Sequence, residues 1–96
     1  MSKNSPKKKV DYAALKSAFM RVPQMPSGVA RFLLDAGYTE LFQLRGRSAE
    51  SLFAEILKND FAADGAVVLP ALRLAIYFAE NEPNLDRSLL TLHAWE

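Results

Sequence analysis

Apolar residues recur along this chain at helical spacing, in short bursts separated by proline, glycine and small polar residues. After a polar start, Asp11 stands as an N-cap ahead of Tyr12, Leu15, Phe19 and Val22, which fall at i, i+3, i+7 and i+10 on one face of a helix. Val22-Pro23 closes that helix, because the residue before a proline is pushed out of helical angles. Pro23-Gln24-Met25-Pro26 is then a tight link, and Ser27 is placed to cap a second helix with its hydroxyl. Val29, Phe32, Leu33 and Ala36 form the buried stripe of that helix, and Gly37 is a left-handed C-cap signal. Thr39 caps a short turn carrying Leu41, Phe42 and Leu44, which Gly46 breaks.

Ser48 caps a further helix with Glu50 in its first turn, and Leu52, Phe53, Ile56 and Leu57 give its apolar face. Residues 59–65 read as a loop. The next helix spans about Val67 to Glu80, with Val68, Leu72, Ala75, Ile76 and Ala79 facing inward and Pro70 required in its first turn. Residues 81–84 break the pattern, and Asp86 caps a last helix carrying Leu89, Leu90 and Leu92 and ending near Trp95. No segment sustains the period-two alternation of a half-buried strand, and Pro70 interrupts the only strand-like run, Val67-Val68-Leu69. The pattern predicts an all-α fold, a small bundle of five to six short helices.

Length and composition fit that picture. The 96 residues suit one domain, and half of them are apolar, which suffices for a single core without a covalent staple. The absence of cysteine excludes disulfides and thiolate metal sites and is compatible with a reducing, cytoplasmic setting. The polar N-terminus lacks the apolar segment of a secretory signal, and no apolar run approaches the ~20 residues a membrane span needs.

Charge is unevenly spread. Residues 1–9 hold Lys3, Lys7, Lys8 and Lys9 and no acid, and they read as a disordered basic tail ahead of a domain at 10–96. That domain carries the remaining eight basic residues against all eleven acids, a balance of −3. A domain that grips nucleic acid with its whole surface is usually basic.

Candidate chemistry is sparse. A single histidine, His93, with no cysteine builds neither a metal site nor a catalytic triad unless carboxylates supply the rest. Trp95 beside it reads as a packing lid. Tyr77 and Phe78 are adjacent on a helix and cannot share one face, so one is buried and the other partly exposed. The acids are scattered, with no pair spaced for acid–base work, and no glycine-rich phosphate loop, zinc-protease motif or nucleophile elbow is present. The expectation is a non-enzymatic domain without a cofactor.

The stretch from Phe19 to Ile56 carries a more specific pattern. Val22-Pro23-Gln24-Met25-Pro26-Ser27-Gly28-Val29-Ala30-Arg31-Phe32-Leu33 leads into Asp35-Ala36-Gly37-Tyr38-Thr39 and Glu40-Leu41-Phe42-Gln43-Leu44-Arg45-Gly46-Arg47. With Ala75-Ile76-Tyr77-Phe78-Ala79 and an aromatic C-terminus downstream, this order resembles the bacterial pathogenicity-locus helix-hairpin-helix family, whose members are described as mitomycin-resistance-like. The resemblance covers about residues 12–96. It implies a helix-hairpin-helix (SAM-like) unit whose hairpin meets the phosphate backbone of DNA.

In that family the hairpin carries Pro-Gly-hydrophobic-Gly, and its glycines bring successive N–H groups up to a phosphate oxygen. Here Gln24 and Pro26 take the glycine places, and Pro26 has no N–H to donate. The Ser27 hydroxyl, the Ser27 and Gly28 amides and the positive end of the helix dipole remain, with Arg31 one turn on. Between residues 21 and 47 four arginines, Arg21, Arg31, Arg45 and Arg47, stand against two acids. Two readings follow. In the first, Gln24, Ser27, Gly28 and Arg31 contact DNA backbone phosphate weakly and without sequence specificity, with Arg21, Arg45, Arg47, Lys7, Lys8 and Lys9 supplying charge. In the second, the domain has lost the phosphate hairpin and serves as a protein–protein interaction module.

Overall fold

The computed structural model of the protein describes residues 10–96; Lys7, Lys8, Lys9 and the rest of the basic tail lie outside the described residues. Asp11 opens the first helix, α1 (Tyr12–Leu15), and its carboxylate accepts from the Ala14 N–H at 3.1 Å. The helix expected to run on to Val22 stops here. Ser17 donates its hydroxyl to the Ala14 carbonyl at 2.7 Å and takes an extended backbone, a local alternative to the helical ladder that serine offers readily. The chain restarts as a 3₁₀ turn over Ala18–Arg21. This break shifts the phase of the apolar stripe: Phe19 and Val22 are buried, while Tyr12 (65% exposed) and Leu15 face outward and Ala14 takes the inner position.

Val22 leaves the turn in an extended conformation, as the following proline requires. The second helix, α2 (Ser27–Asp35), begins one residue earlier than expected: Pro26 is the N-cap, its carbonyl accepts from the Val29 and Ala30 amides, and Ser27 makes no side-chain cap. The far end matches the glycine signal. Gly37 has φ +98°, the Tyr38 N–H donates to the Leu33 carbonyl and the Gly37 N–H to the Leu34 carbonyl, which together form a Schellman cap. The short turn after it is a 3₁₀ segment over Leu41–Leu44 whose N-cap is Glu40, not Thr39. Gln43 turns back and accepts from the Thr39 and Glu40 amides, both at 2.8 Å. Leu41 and Leu44 are buried and Phe42 is exposed.

Ser48 caps α3 (Ala49–Asn59) as expected, accepting from the Ser51 N–H at 3.1 Å. The longest helix, α4 (Gly65–Asn81), begins before the expected Val67, because the Asp64 carboxylate accepts from the Ala66 N–H and starts the helix there. Pro70 therefore lies in the second turn rather than the first, buried, and the Ala66 carbonyl loses its usual helical partner. The expected C-terminal helix is instead two 3₁₀ turns, Arg87–Leu89 and Leu92–Trp95, each restarted by its own cap: Asp86 accepts from Ser88 N–H and Thr91 from Ala94 N–H.

The described residues thus form an all-α fold of four α-helices and four 3₁₀ turns, with no strand. α4 is its axis, packed against α3, the Leu41–Leu44 turn and the C-terminal turn. Phe19, Leu33, Leu44, Leu52, Ile56, Leu72 and Leu74 are the large side chains withdrawn from solvent. Tyr77 is partly exposed and Phe78 buried, as adjacent helical positions require.

Candidate functional site

The link between Val22 and Ser27 contains a residue in the left-handed region that favours glycine. Gln24 has φ +63°, the only non-glycine residue with positive φ among the described residues. A side chain in this conformation costs roughly 1–2 kcal/mol relative to glycine. Its amide oxygen accepts from the Leu92 N–H at 2.9 Å, so Gln24 ties this link to the C-terminal segment. Ser27 and Gly28 are exposed, and a Cβ built on Gly28 would meet open space.

The four arginines do not converge. Arg31 makes a two-pronged contact with Asp11, Nε to Oδ2 and Nη2 to Oδ1, both at 2.8 Å, and its Nη1 donates to Asp35 at 2.9 Å. Arg21 pairs with Glu82 and lies over the Phe78 ring, 5.8 Å from its centre. Arg45 donates to the Ala79 carbonyl at 2.7 Å, near the negative end of the α4 dipole. Arg47 pairs with Glu55, donates to the Tyr38 hydroxyl and lies over the Tyr38 ring; that hydroxyl donates in turn to Glu55 at 2.7 Å. Arg21 and Arg45 both reach the C-terminal end of α4, Arg31 clamps α1 to α2, and Arg47 serves α3. Lys7, Lys8 and Lys9 lie outside the described residues.

These pairings move titrations. The Arg31 guanidinium, helped by the Ala14 amide, holds the Asp11 carboxyl at about 2, below its ordinary 3.8, and Arg31 is raised in return. The Tyr38 hydroxyl, followed by Arg47, lowers Glu55, while burial and then Glu55 raise Tyr38. A carboxyl whose folded pKa is depressed contributes stability above its unfolded pKa and loses it as pH falls through the folded one. The Asp11 contribution is therefore expected to fade from about pH 4 to about pH 2. Asp11→Asn keeps an N-capping side chain and removes one of the two charge partners of Arg31. Urea unfolding between pH 2 and pH 5 should show a shallower acid dependence for this variant, and an unchanged slope would remove Asp11 from the account.

A second surface escaped the sequence reading. A groove of about 280 Å³ opens between the start of α2, the loop of residues 60–64 and the start of α4. Val29 and Val68 are its buried members, Phe32 is partly buried and Val67 is exposed. Phe61, 90% exposed, projects from the loop between Asp60 and Ala62, both of which line the groove. Asp60 and Asp64 line it too, and no basic side chain does. Each uses one oxygen to accept a local backbone N–H, Asp60 from Ala62 and Asp64 from Ala66, and neither is in an ion pair among the described residues. Pro26 and Gly28 border the same groove, so the start of α2 faces a space that bears two carboxylates. The available sequence signal was Phe61 itself, the one large apolar residue in a loop of small and acidic ones.

The C-terminal aromatics are structural. Trp95 donates its indole N–H to the Leu89 carbonyl at 2.8 Å and lies 5.6 Å from the Tyr77 ring, and Arg73 donates to the Trp95 carbonyl. His93 is exposed and meets Glu96 at 3.2 Å. Among the described residues no three His, Cys, Asp or Glu side chains are grouped to hold a metal, and no helix is long and apolar enough to cross a membrane.

Fold and surface together define a small all-helical domain in which Arg21, Arg31, Arg45 and Arg47 are engaged within the chain and the groove between the starts of α2 and α4 has an acidic rim. Comparison with family models, curated proteins and solved structures gives no match.

Proposed function

We propose that this protein is a non-enzymatic protein–protein interaction module, built on a helix-hairpin-helix-like frame whose hairpin has become an internal tie. The observation that carries this reading is the groove beside Phe61. An almost fully exposed phenylalanine on the loop that lines an apolar opening leaves unfavourable surface in water that a partner would cover. The hairpin supports it from the other side. Gln24 is turned to Leu92, Pro26 lacks a donor, and three of the four arginines are in ion pairs with the chain's own carboxylates.

The second reading is weak, salt-sensitive association with DNA phosphates. The exposed start of α2 at Ser27 and Gly28 favours it, as does Arg45, which has no carboxylate partner among the described residues. One pair of experiments separates the two. A photoreactive phenylalanine analogue at position 61 of the full chain, irradiated in the native host, is expected to link one stoichiometric protein, with the same probe at Lys16 linking none. Labelled duplex and single-stranded DNA titrated across a salt series should show no binding once Lys7, Lys8 and Lys9 are replaced by glutamine. Salt-dependent binding that survives this change and is lost with Arg45→Gln, together with no adduct at position 61, would reverse the assignment.

A further inference from the structure

Resting on that interaction reading, the geometry points to a particular partner chemistry: we propose that the groove between the starts of α2 and α4 docks a short basic segment of another protein, anchored by one large aliphatic or aromatic side chain. The volume, about 280 Å³, lies just below the roughly 300–1,000 Å³ of small-molecule pockets. It suits an anchor residue rather than a whole helix. Val29, Phe32 and Val67 supply apolar contact for that anchor, and Phe61 stands exposed on the loop that lines it, between Asp60 and Ala62.

Charge selects what flanks the anchor. Asp60 and Asp64 bracket the loop, each with one carboxylate oxygen outside the local hydrogen bonds, and no cation lines the space with them. Lys58, the nearest cation in sequence, sits on α3 where its field reaches Glu55. The described domain as a whole carries more acid than base. Lysine or arginine on either side of the anchor would find complementary charge. An acidic segment would meet repulsion, as would a second copy of this chain presenting the same face with its own Asp60 and Asp64.

The probe is a display library of random sixteen-residue peptides selected on the immobilised full-length chain. Selected peptides should share a Leu, Ile, Phe or Trp flanked by Lys or Arg. Their affinity for the full chain, read by fluorescence anisotropy, should fall about three- to tenfold with Asp60→Asn plus Asp64→Asn. Both replacements keep a side-chain oxygen for Ala62 and Ala66, so the fold is retained, which circular dichroism checks. Raising salt should weaken wild-type binding more than binding by the double variant. Phe61→Ser should weaken both proteins while leaving the salt dependence of the wild-type groove in place. Selection of acidic or uncharged peptides, no selection at all, or affinity indifferent to the double variant would overturn the proposal. A position-61 adduct obtained alongside any of these results would leave the interaction reading standing and remove only the basic-anchor chemistry; absence of both would remove the two together.

Discussion

Leu72→Ala is expected to lower the free energy of unfolding by about 2–5 kcal/mol, because the lost transfer energy of the side chain is joined by the cost of the cavity left behind. Leu72 has no exposed surface and lies near the middle of α4, the helix against which α3 and two of the 3₁₀ turns pack. A domain of this size is stable by about 5–15 kcal/mol, so the variant should be marginal, with a lower urea midpoint and an unchanged m-value. Phe42→Ala is the matched control. It removes a larger side chain that is 65% exposed, and its effect should stay within about 0.5 kcal/mol. A loss at Leu72 no greater than at Phe42 would show that α4 is not the axis of the core.

Ala75→Leu probes the same helix from the opposite direction and is expected to cost about 1–3 kcal/mol through overpacking. Ala71, Ala75 and Ala79 recur every fourth residue, so they stack along one side of α4, and all three are buried. Small residues in such a row let neighbouring backbone approach closely, and three added carbons at the central one have nowhere to go. Ala66→Leu, at an exposed position in the first turn of the same helix, adds identical atoms where there is room and should change stability by less than about 0.5 kcal/mol. Equal stability of the two variants, measured by thermal unfolding, would contradict close packing along that row.

The two core variants also bear on the functional reading. The floor of the groove, Val29 and Val68, belongs to the same buried cluster as Leu72. Changes intended to test docking therefore belong on the rim, at exposed Phe61 and at Asp60 and Asp64, where asparagine keeps the oxygen that accepts from Ala62 and Ala66. The arginines are poor handles for the same purpose. Arg31→Glu, for example, would place a third carboxylate beside Asp11 and Asp35, so lost binding would not be distinguishable from a loosened α1.

What the amino-acid sequence determined by itself was local. Asp11, Ser48 and Gly37 act where short-range rules place them, because a cap or a left-handed turn needs only its own few residues. The all-helical class followed from apolar spacing, and the buried positions Leu33, Leu52, Ile56, Leu72 and Ala75 came with it. Local competition already blurred some boundaries: Ser17 diverted α1, Pro26 displaced Ser27 as a cap, and Asp64 started α4 early. Only the tertiary structure decided what the charged residues do. Spacing could suggest Arg31 with Asp35, four residues apart, but not Arg31 with Asp11 or Arg21 with Glu82, which are 20 and 61 apart. The groove has the same origin. Phe61 is an ordinary loop residue until the starts of α2 and α4 are brought together beside it, and a side chain's exposure is settled by which distant surfaces fail to cover it.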